Sequence, residues 1–142
     1  MRRAKNYRYL YNPKTKLFQA RNADGSWAGE HSGFTEGANW TYQFCVMQDV
    51  QGLIDLMGGN ESFAAALDNV FDNGHYRHDN EPGHHYVYLY NYCGRFDKAQ
   101  ERISGKILEN PITGTGRTDC REMTTADRCL PGICSVRWAF IR

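Results

Sequence analysis

The sequence predicts a mainly α-helical fold, and three observations carry that expectation. Apolar side chains between residues 40 and 108 recur at i, i+3, i+4 and i+7. Gly-Gly, Asn-Gly or single glycines stop these runs where helices should end. Nothing alternates with strands in a βαβ rhythm, and there is no internal repeat or low-complexity tract.

The first forty residues are the least periodic. Asn6 to Tyr11 reads as a helix end, and the turn-rich stretch containing Asn22-Ala23-Asp24-Gly25 reads as a loop with a short hairpin. Trp40 to Val46 fits a short helix. Val50, Leu53, Ile54 and Met57 then form an amphipathic helix, with Asp49 as N-cap and Gly58-Gly59 as stop. A second helix is capped by Asn60, turns Phe63, Leu67, Val70 and Phe71 inward, and ends at Asn73-Gly74. Pro82 suits the first turn of a third, which carries Tyr86, Leu89, Tyr90 and Cys93 on one side and closes at Gly94. Asp97-Lys98-Ala99-Gln100 has the capping-box pattern for a fourth, with Ala99, Ile103 and Ile107 inward and Gly105 as its weak point.

At 142 residues, 41% hydrophobic and 23% charged, the chain is long and apolar enough to bury a core. A net charge of +1 gives no electrostatic footprint for nucleic acid. No apolar run approaches the roughly 20 residues of a spanning helix, so no membrane partner is expected. The stretch Met1-Arg2-Arg3-Ala4-Lys5-Asn6-Tyr7 lacks the apolar segment of a signal peptide, and the chain carries no visible address. Five cysteines, Cys45, Cys93, Cys120, Cys129 and Cys134, are odd in number and fit neither a disulfide framework nor zinc-site spacing.

From Asn110 onward the character changes. Residues 110–142 hold five arginines but no lysine, three cysteines, no tyrosine although the chain has nine, and no sustained period. Two regions are therefore expected, 1–109 and 110–142, with the second poorly ordered.

Three constellations can carry chemistry. Four of the five histidines fall between His75 and His85, together with Asp79 and Glu81. By residue type alone this cluster reads first as exposed loop residues leading into a helix, and after that as a zinc site of imidazoles or a calcium site using the adjacent hard oxygens of Asn80 and Glu81. Phe34-Thr35-Glu36-Gly37-Ala38-Asn39-Trp40-Thr41-Tyr42 combines a carboxylate with aromatics at short spacing. That suits a sugar site, where rings pack on the pyranose and a carboxyl group protonates the leaving oxygen. Taken alone, it suits better a capping glutamate beside a core tryptophan. Asp24-Gly25-Ser26-Trp27 is a turn ending in an aromatic.

Taken in order, these motifs resemble glycoside hydrolase family 92, the bacterial exo-α-mannosidases. The matching strings are Asn6-Tyr7, Asp24-Gly25-Ser26-Trp27, Thr35-Glu36-Gly37 with Trp40 and Tyr42, and Gln48-Asp49-Val50. They continue with Gly52-Leu53-Ile54, Leu56-Met57-Gly58-Gly59, His75-Tyr76, Asn80-Glu81-Pro82, His84-His85 and Tyr88-Leu89-Tyr90-Asn91-Tyr92. The resemblance runs from about Ala4 to Leu108. It implies an incomplete (α/α)6 barrel with an irregular N-terminal loop region, preceded in the whole enzyme by an N-terminal β-sandwich that this chain lacks. It also implies Glu36 as general acid, calcium at Asn80 and Glu81 holding the mannose O2 and O3, and Trp40, Asp49, His84 and His85 lining the pocket. The implied substrate is a glycan with terminal α-linked mannose, and the implied compartment is periplasmic or extracellular. Asp79 and Gly83 depart from the pattern, standing where glycine and serine are more usual, and the segment before Asn80 is short.

The larger departure is C-terminal, where the family pattern has Gly-Asn-Asp-Asp followed by Gly-Gln-Met-Ser-Ala-Trp, the source of the water-activating base. Codons can be chosen for Arg121 through Gly132 that, reread one base out of register, spell Gly-Asn-Asp-Asp-Cys-Gly-Gln-Met-Ser-Ala-Trp. The agreement continues through Ile133 to Ile141. Codon choice frees little beyond the first base of each shifted codon, so the tail reads as frameshifted from near Asn110. The expectation is a mannosidase fragment, inactive alone; its rivals are a non-catalytic sugar- or calcium-binding module and an unstable gene fragment.

Overall fold

The computed structural model describes residues 3–77 and 80–109, with backbone alone for 106–109. His78, Asp79, Ile107 as a core side chain, Cys120, Cys129, Cys134 and the whole expected tail 110–142 lie outside the described residues.

The described chain is mainly helical. A 3-10 helix, Arg3–Leu10, leads into a hairpin of β1 (Tyr11–Asn12) and β2 (Leu17–Phe18), antiparallel with Tyr11 opposite Phe18 and Asn12 opposite Leu17. Asn12 builds the turn. Its side-chain oxygen accepts from the Lys14 N–H at 2.9 Å and its carbonyl from the Lys16 N–H at 2.8 Å, with Lys16 at φ 58° closing the loop. A second tight turn, Asn22 to Ser26, is closed by the bridge between Arg21 and Trp27. The expected hairpin thus exists, but at Asn12–Lys16, with the Asp24-Gly25 turn following it.

Four α-helices follow: α1 (Asn39–Tyr42), α2 (Val50–Leu56), α3 (Asn60–Asp72) and α4 (Phe96–Glu101). Asp49 caps α2 as its spacing predicts, accepting from the Gly52 N–H at 3.2 Å. Gly58 and Gly59 then turn the chain at φ 99° and 94°, a conformation that costs side-chain-bearing residues. Asn60 is the first residue of α3 and Gly59 is its cap, a shift of one position from the expected cap. Phe63, Leu67, Val70 and Phe71 are buried as expected.

Two further expectations are corrected. The third helix is a 3-10 turn, Glu81–Gly83, followed by a 3-10 helix, Tyr86–Cys93, rather than one α-helix. Its buried residues include Val87, Tyr90 and Cys93 at strict i+3, the spacing a 3-10 helix aligns. The capping box at Asp97 does not form. Arg95 takes the cap position of α4 and grips Asp97 through two bonds of 3.0 and 2.7 Å, so that carboxylate is engaged outside the helix. Beyond α4 the coil widens into a π-helix, Arg102–Glu109, which contains Gly105.

The core sits between α2, α3, α4 and the 3-10 helix Tyr86–Cys93. Phe44 meets Phe63 and Tyr86 edge-on, with centroids 5.3 and 5.2 Å apart, and Phe71 packs on Tyr76 and Tyr90. Asp68 of α3 ties this layer together. It accepts from the Tyr90 hydroxyl at 2.8 Å and Arg102 at 3.3 Å, and pairs with Lys98. Buried Gln43 joins the hairpin to α1 by accepting from the Phe18 N–H at 2.9 Å and donating to the Lys16 carbonyl at 3.0 Å.

Candidate active site

Two sequence motifs meet along one seam. The first runs from Phe34 to Val46 and is shaped by the short helix α1. Thr41 and Tyr42 of α1 reach back over the preceding turn. The Thr41 hydroxyl accepts from the Ala38 N–H at 3.2 Å, while the Tyr42 hydroxyl donates to the Thr35 carbonyl and its ring stacks on Phe34 at 5.6 Å. Between these anchors lies Glu36, exposed and at φ 58°, in the left-handed region that costs a side-chain-bearing residue roughly 1–2 kcal/mol.

The second motif begins where α3 ends. The N–H groups of His75 and Tyr76 both donate to the Val70 carbonyl, at 3.1 and 3.0 Å. Asn80 then leads into the turn Glu81–Gly83, closed by the Gly83 N–H on the Asn80 carbonyl and the His84 N–H on the Glu81 carbonyl, each at 3.1 Å. The fixed φ of Pro82 suits this turn's first positions.

Five contacts close the seam. Trp40 stacks on His75 with centroids 4.2 Å apart and planes 3° from parallel. His85 Nε2 lies 2.9 Å from the Phe44 carbonyl. The Tyr86 hydroxyl donates to the Thr41 carbonyl at 2.6 Å, and the Phe44 N–H donates to the same hydroxyl at 3.4 Å. The Cys45 thiol reaches the Pro82 carbonyl at 3.8 Å. Burial pushes the Cys45 thiol up, against a smaller lowering by its bond to Tyr86, and burial likewise pushes the Tyr86 phenol far up. Both shifts favour the neutral forms of these groups.

Of the residues singled out from sequence, Trp40 and His85 lie on the seam. Asn80 and Glu81 belong to the turn that Pro82 joins to it, His84 is half-buried beside them, and Glu36 stands at the head of α1. Asp49 is engaged elsewhere. It caps α2 and accepts from the Tyr7 hydroxyl at 2.8 Å with Arg8 at 3.9 Å, which anchors the N-terminal 3-10 helix. Among the described residues no group of three or more histidine, cysteine, aspartate or glutamate side chains is placed to hold a metal. Asn80, half-buried, and Glu81, exposed, are neighbours with hard-oxygen donors, and they could fill only part of a calcium shell of six to eight oxygens. Tyr86, the keystone of the seam, escaped the sequence reading because its apolar spacing hides the use of its hydroxyl.

Two clefts flank α1. One, of about 410 Å³, is lined by Tyr7, Leu10, Phe18, Phe34, Tyr42 and Val46 among others. The other, of about 280 Å³, lies between the hairpin, Trp40, Gln43 and α3. Glu36, Asn80 and Glu81 line neither.

This helical framework and its paired motifs are those of a carbohydrate-hydrolase catalytic domain. Residues 1–115 match the glycosyl hydrolase family 92 catalytic domain, and the chain belongs to that family. Among solved structures it is similar to a family GH92 α-mannosidase of Bacteroides thetaiotaomicron, 38% identical with a TM-score of 0.61 over 68% of this chain and 14% of that one. It is also similar to an inverting mannosidase of the same family and organism, 30% identical with a TM-score of 0.66 over 76% of this chain and 19% of that one. Over 60 residues it is 40% identical to an uncharacterized secreted glycosidase of Arthroderma benhamiae, covering 42% of this chain and 8% of that protein. The chain thus spans less than a fifth of the length of each of these relatives.

Proposed function

We propose that this chain carries the proton-donating and metal-binding side of an inverting α-mannosidase active site acting on terminal α-linked mannose of glycans, within part of an (α/α)6 barrel. One observation carries the reading beyond family membership: the seam brings the segment Trp40–Phe44, which follows Glu36, against the segment His75–Tyr86, which contains Asn80 and Glu81. The solved relatives described as α-mannosidases support the substrate class.

In this reading Glu36 donates a proton to the departing glycosidic oxygen. Trp40, His84 and His85 contact the sugar, and Asp49 supports the wall through α2. Asn80 and Glu81 would contribute oxygens to calcium, which when bound would hold vicinal hydroxyls and act as a Lewis acid. An inverting hydrolase also needs a base on the opposite face to take a proton from the attacking water. The Gly-Asn-Asp-Asp stretch expected to supply it is not written in this frame. Glu36 is exposed, so its enclosure, like the base, has to come from outside the described residues. The chain by itself is therefore expected to release little or no mannose, and the full enzyme to act outside the cytoplasm, as the relative described as secreted suggests.

The test is calorimetric calcium titration of the purified 142-residue chain beside an α-mannoside hydrolysis assay. Saturable calcium binding that Glu81→Ala abolishes, without mannose release, supports the reading. No calcium binding removes the metal assignment, and calcium-dependent mannose release removes the inactivity. Circular dichroism showing little helix and no cooperative melting would instead favour an unstable gene fragment. Sequencing the DNA settles the tail: codons past Asn110 that restore no motif in another frame end the frameshift proposal.

A further inference from the structure

We propose that Tyr42 and Thr41 are positioning residues for Glu36, gripping the chain on both sides of it and holding it in its left-handed conformation. Residues before Glu36 are fixed by Tyr42, whose hydroxyl donates to the Thr35 carbonyl and whose ring lies on Phe34 with planes 13° apart. Residues after it are fixed by Thr41, whose hydroxyl accepts from the Ala38 N–H at 3.2 Å while the Thr41 N–H donates to the Ala38 carbonyl at 3.0 Å.

The fit around Gly37 shows how close this grip is. A Cβ there would lie 2.6 Å from the Thr41 Oγ1 and 2.8 Å from its Cβ, so only glycine lets Thr41 reach over the turn. A left-handed glutamate is uncommon, and it persists where its surroundings over-determine it. Here those surroundings are two adjacent side chains on α1, and α1 itself is held to the second motif by the Tyr86 hydroxyl on the Thr41 carbonyl at 2.6 Å. The backbone of Glu36 is thereby referred to the seam through two residues that need not touch a substrate.

The catalytic meaning of this arrangement rests on Glu36 being the proton donor, whereas the geometry does not. The test separates them. In the isotope-labelled full chain, the amide–Hα nuclear Overhauser effect within Glu36 is strong only while its φ is positive. Tyr42→Phe keeps the ring and removes the hydroxyl. It should weaken that effect to the level of neighbouring extended residues while thermal melting stays within a few degrees of the parent. Thr41→Val, which keeps shape and removes the acceptor, should do the same from the other side and stands in if Tyr42→Phe fails to fold. An unchanged Glu36 signal in a folded variant of either kind overturns the proposal. Glu36→Gln should keep the signal. Its effect on hydrolysis, in whatever form of the enzyme is active, tests the proton-donor reading alone.

Discussion

Trp40 lies flat on His75, their ring centroids 4.2 Å apart and their planes 3° from parallel. The indole comes from α1 and the imidazole from the residue whose N–H is held by the Val70 carbonyl of α3, so this stack is one of the contacts that fasten the carboxylate motif to the histidine-rich one. Stacked rings contribute roughly 0.5–1.5 kcal/mol beyond the area they bury.

A double-mutant cycle on this pair should therefore show coupling. Trp40→Ala, half-buried, is expected to cost about 2 kcal/mol in urea unfolding, somewhat less than a fully buried ring. His75→Ala should cost about 1 kcal/mol, and the double variant less than the sum by about 1 kcal/mol. Strict additivity would show that the stack fastens nothing.

Asp49 offers a separation of roles. As helix cap and acceptor from Tyr7, it should cost about 2 kcal/mol when changed to Ala, from a lost cap and an orphaned hydroxyl. Asp49→Asn keeps a capping oxygen and should lose less than 1 kcal/mol. If both variants unfold at the parental urea midpoint, the anchoring role fails and a purely substrate-facing one is favoured.

The helices α2 and α3 were legible because their apolar period is uninterrupted and glycines stand at both stops. The 3-10 helix Tyr86–Cys93 was not, since Tyr86, Leu89, Tyr90 and Cys93 satisfy i+3 and i+4 alike. Only the burial of Val87 beside Tyr90 and Cys93 selects the tighter coil. The cap of α4 was misread because a capping box and a bidentate Arg95–Asp97 pair draw on the same carboxylate, and sequence does not say which partner wins. At the site, residue types were readable while their meeting was not. The seam depends on the Tyr86 hydroxyl and the Phe44 carbonyl, groups that no side-chain pattern reports.

Asp68 should govern part of the acid response. Burial raises its carboxyl, but Lys98, Tyr90 and Arg102 together outweigh this and hold it below the ordinary value. A carboxylate depressed in the folded state contributes stability that is complete above the unfolded value of about 4 and is lost as pH falls through the folded one. Asp68→Asn should lower the melting temperature at pH 7 and flatten its decline below about pH 4. A variant whose melting temperature falls as steeply in acid as the parent's would show that other carboxylates carry this dependence.

Gly83 lies buried in the turn beside the proposed metal position, against the chain that precedes it. A Cβ there would lie 2.4 Å from the Arg77 carbonyl oxygen, a backbone atom that can yield only if the segment before Asn80 moves. The glycine thus permits the chain before the turn to pass directly against it, in keeping with the short connection from α3. Gly83→Ala is expected to destabilise the protein by roughly 1–3 kcal/mol through overpacking. Gly83→Ser, which adds a hydroxyl to the same buried position, should cost at least as much. Because the displaced segment leads into Asn80 and Glu81, both variants should also weaken calcium binding in the same titration that tests Glu81→Ala. Parental stability in Gly83→Ser would mean that the close approach to Arg77 does not constrain the turn.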